Sequence, residues 1–313
     1  MQGYKRDKSG TININLHCKS ILKLKNTVIK EKVSIMKCVI TAAGKGVRLL
    51  PITKEMPKEM MPIFTKIYGK NRVVIPLLQY IFEQLYAVNL RDYCFVVGRE
   101  KRSIEDHFTP HDAYLKELSG EYKILMSKFY DRLQKSHMVW INQNKPHGFG
   151  DAVKLTQRYI GGEDFVVHAG DVAILSKLRH PVLRLIDTAK KDPMISAVLL
   201  CKKVKDAKRY GVPKLRKISN SHYIVEEVEE KPLKPKSNFG LLPMYYFKSD
   251  IFDCLGKIKR GIGNEYQLTD AIQKLIEDGK KVVAIPIDSN EIEIDVGTVE
   301  SYRYAQEISY KKA

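Results

Sequence analysis

Tryptophan is almost absent from this sequence, with Trp140 the only one among 313 residues, and cysteine is sparse. Cys18, Cys38, Cys94, Cys201 and Cys254 are scattered, and no two form a Cys-x-x-Cys pair. An odd, dispersed set excludes a disulfide framework and a zinc site, and it points to reduced thiols in a cytoplasmic protein. Long apolar runs are missing too: no segment approaches the ~18–20 uninterrupted apolar residues of a membrane span, so no membrane partner is expected. The N-terminal stretch lacks an apolar core followed by a small-residue cleavage site and does not read as a secretory signal. Acidic residues are in short supply. Lys and Arg number 54 against 36 Asp and Glu, a net charge of +18. Such a surface attracts anions, and nucleic acid, anionic lipid and nucleotides all qualify. No recognisable nucleic-acid module is present, so nucleic acid is not an expected partner. Residues 1–35 hold eight basic residues against Asp7 and Glu31, which places +6 of the excess there. They read as a weakly ordered basic extension, and residues 36–313 as the folded domain.

What is present is an alternation of apolar strands and one-faced helices. Residues 37–43 form an apolar run rich in β-formers that ends at Gly44. In residues 76–88, Leu77, Leu78, Ile81, Phe82, Leu85 and Val88 recur at helical spacing. Further strands are expected at 93–97, 138–141, 165–169, 195–200 and 281–287. Helical pattern is expected at 103–108, across a charged insertion at 111–135, and from about Asp151. Several strands are apolar on both faces. The expected fold class is therefore α/β, a mostly parallel, Rossmann-like twisted sheet covered by helices. Ligands of such sheets bind beyond the carboxyl ends of the strands. There is no internal repeat, and no hexapeptide tract follows residue 290, so no C-terminal β-helix is expected.

Gly44-Lys45-Gly46-Val47-Arg48 follows the first strand. The glycines let backbone N–H groups approach phosphate oxygens, and Arg48 can grip phosphate bidentately. It is not a Walker loop, because no Gly-Lys-Ser/Thr closes it, nor a dinucleotide fingerprint, because Leu49 stands at the third glycine position. Pro51, Thr53, Lys54, Pro57, Lys58, Glu59 and Pro62 follow within a dozen residues. Asp171 ends an apolar strand, where a carboxylate suits Mg²⁺, a cation that prefers hard oxygen ligands and keeps several waters. Gln143 offers an amide that both donates and accepts, as a uracil or thymine edge requires. Gly148 and Gly150 would let a base lie close to the backbone. Glu226, Glu227, Glu229 and Glu230 cluster before Lys231, a pattern that by itself reads as one charged edge strand. Asp270, at a helix start, is expected to cap it. His107, His147 and His168 have no metal-ligand spacing, and Trp140 is expected in the core.

The whole segment AAGKGVRLLPITKEMPKEMMPI resembles the signature of sugar nucleotidyltransferases, closest to the bacterial-type UTP–glucose-1-phosphate uridylyltransferases. The resemblance continues through residues 102–108, the helical insertion, Gln143 with Gly148-Phe149-Gly150, Gly170-Asp171, Val228-Glu229-Glu230-Lys231-Pro232, Gln267-Leu268-Thr269-Asp270-Ala271 and Asp295-Val296-Gly297. It spans roughly residues 36–305. It implies the nucleotide-diphospho-sugar transferase fold and a reaction in which a sugar 1-phosphate attacks a nucleoside triphosphate and pyrophosphate leaves. That reaction brings two anions together, so it needs cations and backbone donors and no nucleophilic side chain. The resemblance implies Arg48 on the leaving pyrophosphate and Lys58 on the reacting phosphates. It implies nucleotide contacts from Ala42, Ala43, Gly44, Gly46, Gln143 and Gly148, and sugar-phosphate contacts from Gly211, Glu230 and Lys231. It implies Asp171 and Asp295 as ligands of Mg²⁺, and a homo-oligomer. UTP or dTTP would be the nucleotide, and glucose 1-phosphate the leading sugar.

Five positions depart from the family pattern. Val47 replaces threonine, Asp151 a residue that is commonly histidine, Val172 a second acid, and Pro243-Met244 a Gly-Arg pair. None removes Arg48, Lys58, Asp171 or Lys231. The alternative to an enzyme is a non-catalytic regulatory subunit that binds sugar nucleotides on the same fold.

Overall fold

A computed structural model describes residues 36–66, 71–176, 179–219 and 221–313, so the basic stretch 1–35 lies outside the described residues. The first apolar run forms β1 (Lys37–Ala42). Two short strands, β2 (Pro62–Thr65) and β3 (Val73–Pro76), pair antiparallel before α1 (Leu77–Ala87). Then come β4 (Asp92–Gly98), α2 (Arg102–His107), α3 (Asp112–Glu117), α4 (Gly120–Gln134) and β5 (His137–Gln143). The charged insertion is thus two helices. Phe129, Tyr130 and Leu133 of α4 face inward, and Phe129 lies 6.1 Å from Phe82 of α1, whose ring also meets Tyr93 and Phe108. Burying side chains of this size stabilises the fold by roughly 1.5–3 kcal/mol each, enough to dock a helix that is otherwise polar.

The chain continues through α5 (Phe149–Lys154), α6 (Gln157–Ile160), β6 (Phe165–Ala169), β7 (Val172–Leu175), α7 (Pro181–Lys191), β8 (Ile195–Lys203), β9 (Gly211–Lys217), β10 (Tyr223–Glu230) and β11 (Phe239–Phe247). It ends with α8 (Ile251–Lys257), α9 (Leu268–Glu277), β12 (Lys281–Pro286), β13 (Ile292–Asp295) and α10 (Val299–Lys312).

Nine strands form one sheet in the order β5-β4-β1-β6-β11-β8-β12-β10-β9. The β5-β4-β1-β6 run is parallel throughout, and β8 pairs parallel with β12. Only β11 and β10 run against the rest. Successive residues of β1 enter opposite cores: Cys38, Ile40 and Ala42 pack on one face, and Val39 joins Val96 and Val167 on the other. Both faces are dry, which is why these strands read as continuous apolar runs. β7 and β13 pair as a separate ribbon, with Asp295 opposite Val172. β10 lies between β12 and β9: β9 pairs with it from Tyr223 to Glu230, whereas β12 pairs with it only at Tyr223 and Ile224. Trp140 is half-buried and stacks on Phe95 at 4.6 Å, at the margin of the core. No described helix is long and apolar enough to cross a membrane.

Candidate active site

A cleft of about 680 Å³ opens beyond the carboxyl ends of β1, β5 and β6, facing the open end of the β9–β10 hairpin. Its first wall is the loop after β1. Gly46 turns at φ +68°, a conformation that side chains rarely adopt, and starts a single 3-10 turn over Val47–Leu49. Thr53 Oγ1 donates to the Gly46 carbonyl at 2.8 Å and pins that turn. Leu49 anchors it in the core, whereas Lys45, Val47 and Arg48 are exposed into the cleft. Arg48 has no ion-pair partner among the described residues.

Lys58 opens a further 3-10 turn, Lys58–Met60. The adjacent Glu59 is buried and accepts from Lys101 Nζ at 2.9 Å, an ion pair that ties this turn to the loop after β4. The Lys58 ammonium therefore projects against the phosphate loop, so that a Cβ built on Gly44 would lie 3.3 Å from its Nζ. It donates to Asp171 Oδ2 at 2.5 Å. Burial opposes the charge of Lys58, but Asp171 and Glu59 outweigh it and hold the ammonium above its ordinary value. Burial likewise opposes the Asp171 carboxylate, and Lys58 overrules it, keeping that carboxyl below its usual range.

Asp171 sits in the turn between β6 and β7, and the ribbon pairing brings Asp295 beside it; the Val296 N–H donates to the Asp171 carbonyl at 3.2 Å. Burial first, and then the charge of Asp171, push the Asp295 carboxyl above its ordinary value. Asp295 Oδ1 accepts from the Gly297 N–H at 2.7 Å. Asp171 and Asp295, close enough for the charge of the first to raise the cost of ionising the second, form a donor set suited to a hydrated, hard divalent cation. Among the described residues no group of three His, Cys, Asp or Glu could hold a metal by itself.

The far wall is the loop that follows β5. Gly148 turns at φ +112° and caps α5. The Gly150 N–H donates to Tyr266 O at 2.9 Å and the Tyr266 N–H to His147 O at 2.7 Å, a backbone ladder that holds the loop flush against residues 265–267. Gln143, the last residue of β5, is buried at the cleft wall. Its Nε2 donates to Asp151 Oδ2 at 2.7 Å and to Gly148 O at 3.3 Å.

The hairpin end completes the cleft with Gly211, Glu230 and Lys231. Glu230 Oε2 accepts from Thr269 Oγ1 at 2.7 Å, and its Oε1 lies 3.1 Å from Lys231 Nζ. Lys231 has φ +42°, in the left-handed region that a lysine seldom occupies, and its N–H donates to Tyr210 O at 2.9 Å. Such local strain persists only where the surroundings hold it. Pro243 lines the cleft at the bulge of β11 between Leu241 and Tyr245, where a ladder donor is not needed.

Arg48, Lys58, Ala43, Gly44, Gly46, Gln143, Gly148, Gly211, Glu230, Lys231, Asp171 and Asp295 all line this one cleft. Ala42 does not; its side chain is buried in the core. Asp270 lies in the first turn of α9 but makes no capping hydrogen bond; Gln267 is the N-cap, and the neighbouring Thr269 is spent on Glu230. Sequence reasoning passed over Lys45 and Arg209, two further cations of the cleft, and Glu265 on the wall with Gln143 and Gly148. Lys45 lay inside the motif and carried a visible signal, whereas Arg209 and Glu265 reach the cleft only through tertiary structure.

Residues 37–312 match the family model described as Nucleotidyl transferase. The chain is 36% identical over 249 residues to the UTP–glucose-1-phosphate uridylyltransferase of Bacillus subtilis (strain 168), covering 78% of this chain and 81% of that protein. It is 32% identical over 265 residues to the protein of the same name from Staphylococcus epidermidis RP62A, covering 83% and 88% respectively. Among solved structures it superposes on a UDP-glucose pyrophosphorylase complexed with UDP-glucose, with a TM-score of 0.76, 29% identity and coverage of 89% of this chain and 100% of the other. An apo UDP-glucose pyrophosphorylase gives a TM-score of 0.78 at 28% identity, covering 89% and 99%.

Proposed function

This chain belongs to the nucleotidyl transferase family, and from that premise we propose that it makes UDP-glucose and pyrophosphate from UTP and glucose 1-phosphate. The observation that carries this reading is the convergence of Arg48, Lys58, Asp171, Asp295, Gln143 and Lys231 on one cleft. The names of its relatives supply the substrates; dTTP shares the pairing edge of UTP and is the alternative nucleotide.

In this mechanism an oxygen of the sugar phosphate attacks the α-phosphorus of the triphosphate. One P–O bond forms, the bridge to the β-phosphate breaks, and pyrophosphate carries the electron pair away. No side chain becomes covalently attached. Lys58 lies at the junction of the phosphate loop and the acidic pair, and it neutralises charge around the reacting phosphates. Arg48 and the N–H groups of the Gly44–Gly46 loop hold the leaving pyrophosphate. Lys231 holds the incoming sugar phosphate, and Glu230, fixed by Thr269, accepts from sugar hydroxyls. Gln143 and the Gly148 backbone take the base. Asp171 and Asp295 are the residues that would hold Mg²⁺, which when bound lowers the repulsion between the two anionic substrates. The protein's contribution is alignment and neutralisation, which together lower the barrier without acid–base chemistry.

The test is a pyrophosphate-release panel, four nucleoside triphosphates against several sugar 1-phosphates. Release with UTP and glucose 1-phosphate above all other pairs is expected. Saturable binding of sugar nucleotides without release from any pair would make the chain a non-catalytic binding subunit instead.

A further inference from the structure

We propose that Asp151 sets the base specificity of this cleft by fixing which end of the Gln143 amide faces the nucleotide. The inference rests on the reading of Gln143 as the base contact and goes beyond it to a positioning residue. An amide is ambiguous by itself: its oxygen accepts and its nitrogen donates, and rotation by half a turn exchanges them. Here the ambiguity is removed by two partners that can only accept. The Asp151 carboxylate lies 2.7 Å from Gln143 Nε2 and the Gly148 carbonyl lies 3.3 Å from the same atom. The flipped amide would set its oxygen against both acceptors, a repulsive arrangement in a buried position. The NH₂ group is therefore committed to the protein, and Oε1, which has no hydrogen-bond partner among the described residues, is the group left to face the cleft.

An acceptor at that point selects a pyrimidine whose N3 carries a hydrogen. Uracil and thymine meet that demand. Cytosine does not, because its N3 is a bare acceptor and would oppose Oε1. The discrimination thus originates one residue behind the base contact. Asp151 occupies the first turn of α5, behind Gln143 as seen from the cleft, and also lines a neighbouring groove with Lys154, Arg158 and Arg260. Asparagine at 151 has nearly the same shape but presents either a donor or an acceptor, so it releases the Gln143 amide to turn with the base.

The experiment compares UTP, CTP and N3-methyl-UTP, nucleotides of similar size, with the parent protein, Asp151→Asn and Asp151→Ala. Equilibrium titration and steady-state kinetics are both read. In the parent, N3-methylation is expected to weaken binding about tenfold or more, the scale of one satisfied hydrogen bond in a buried site. Asp151→Asn should shrink the UTP-to-CTP ratio of kcat/KM by about tenfold, through KM more than kcat, with Tm close to the parent's. A purely structural role would lower Tm and leave the ratio unmoved. A parent that binds N3-methyl-UTP as tightly as UTP overturns the inference, as does an Asp151→Asn protein with the parent's ratio. If Asp151→Asn folds poorly, the methylated nucleotide on the parent still decides. A parent that binds UTP in preference to CTP and N3-methyl-UTP but releases no pyrophosphate would sink the proposed catalysis while supporting this assignment.

Discussion

The chemistry at the scale of single residues is a problem of charge placement. Lys58 is held above its ordinary value and Asp171 below it, because each stabilises the other against burial. That pair is a poor source of stability, since desolvation consumes much of its attraction, but it fixes an ammonium where phosphates would meet. Lys58→Ala should lower kcat by roughly 100-fold or more, the scale of losing one preorganised charge-stabilising group, with a much smaller loss of fold stability. Near-parental kcat, measured by pyrophosphate release, would remove Lys58 from the mechanism. A second residue-scale prediction concerns acid. Burial lowers His107 and His168 to about 4 and His180 to about 3. His168 Nδ1 must carry the proton it shares with the Ala169 carbonyl at 2.7 Å, which leaves Nε2 buried without a partner among the described residues. These folded values lie below the unfolded value near 6.5. The stability they contribute is therefore present above pH 6.5 and is lost as pH falls from there through about 4 for His107 and His168 and about 3 for His180, by roughly 3–5 kcal/mol per fully shifted histidine. Tm should fall across that window, and His168→Gln should flatten part of the fall. A Tm independent of pH between 7 and 4 would contradict the assignment.

At the scale of elements, strand ends and short turns do the positioning. The base-side loop is held flush because Gly148 and Gly150 admit the backbone of residues 265–267. A Cβ on Gly150 would meet Tyr266 O at 2.8 Å, and backbone cannot move aside as a flexible side chain does. Gly150→Ala should cost about 1–3 kcal/mol of stability and raise KM for the nucleotide more than KM for the sugar phosphate. Equal effects on both KM values would mean that the loop does not serve the base. Much of this level was legible in the sequence. The apolar runs after Met36, at 93–97 and at 165–169 appear as buried strands, with the glycine loop and Asp171 at the carboxyl ends of the first and the last, and Gln143 ends the strand expected at 138–141. What was hidden has physical causes. β2, β3, β7 and β13 have four residues each, too few for a period of two to show. α10 buries only Ala305 and Ser309 and so has no strong apolar stripe, although Thr298 and Ser301 form a reciprocal cap at its start. β9 was masked by Pro213, and β11 by Pro243 and by its bulge between Leu241 and Tyr245. Asp270 looked like a cap from its position alone, because the helix start is set by Gln267, which no sequence rule favours.

At the scale of the whole molecule, the sheet divides the labour. The parallel run β5-β4-β1-β6 delivers the phosphate loop, Asp171 and Gln143 to one side of the cleft, and the β9–β10 hairpin delivers Gly211, Glu230 and Lys231 to the other. The acidic ribbon of β7 and β13 lies where the two meet, with Lys58 against it. On the proposed reading, this arrangement makes conspicuous net positive charge compatible with a half-buried pair of carboxylates: the cations would gather anionic substrates and the acids would hold a counter-cation. The family's sequence motif marked nearly all of these positions, while Arg209 and Glu265 became visible only when the chain was folded. The measurement that bears most directly on this account is pyrophosphate release from UTP and glucose 1-phosphate, followed in Mg²⁺ and again in excess EDTA. Release that is stoichiometric with UDP-glucose in Mg²⁺, abolished by EDTA and restored by added Mg²⁺, is the predicted result. Undiminished release in EDTA, or none under either condition, would contradict it.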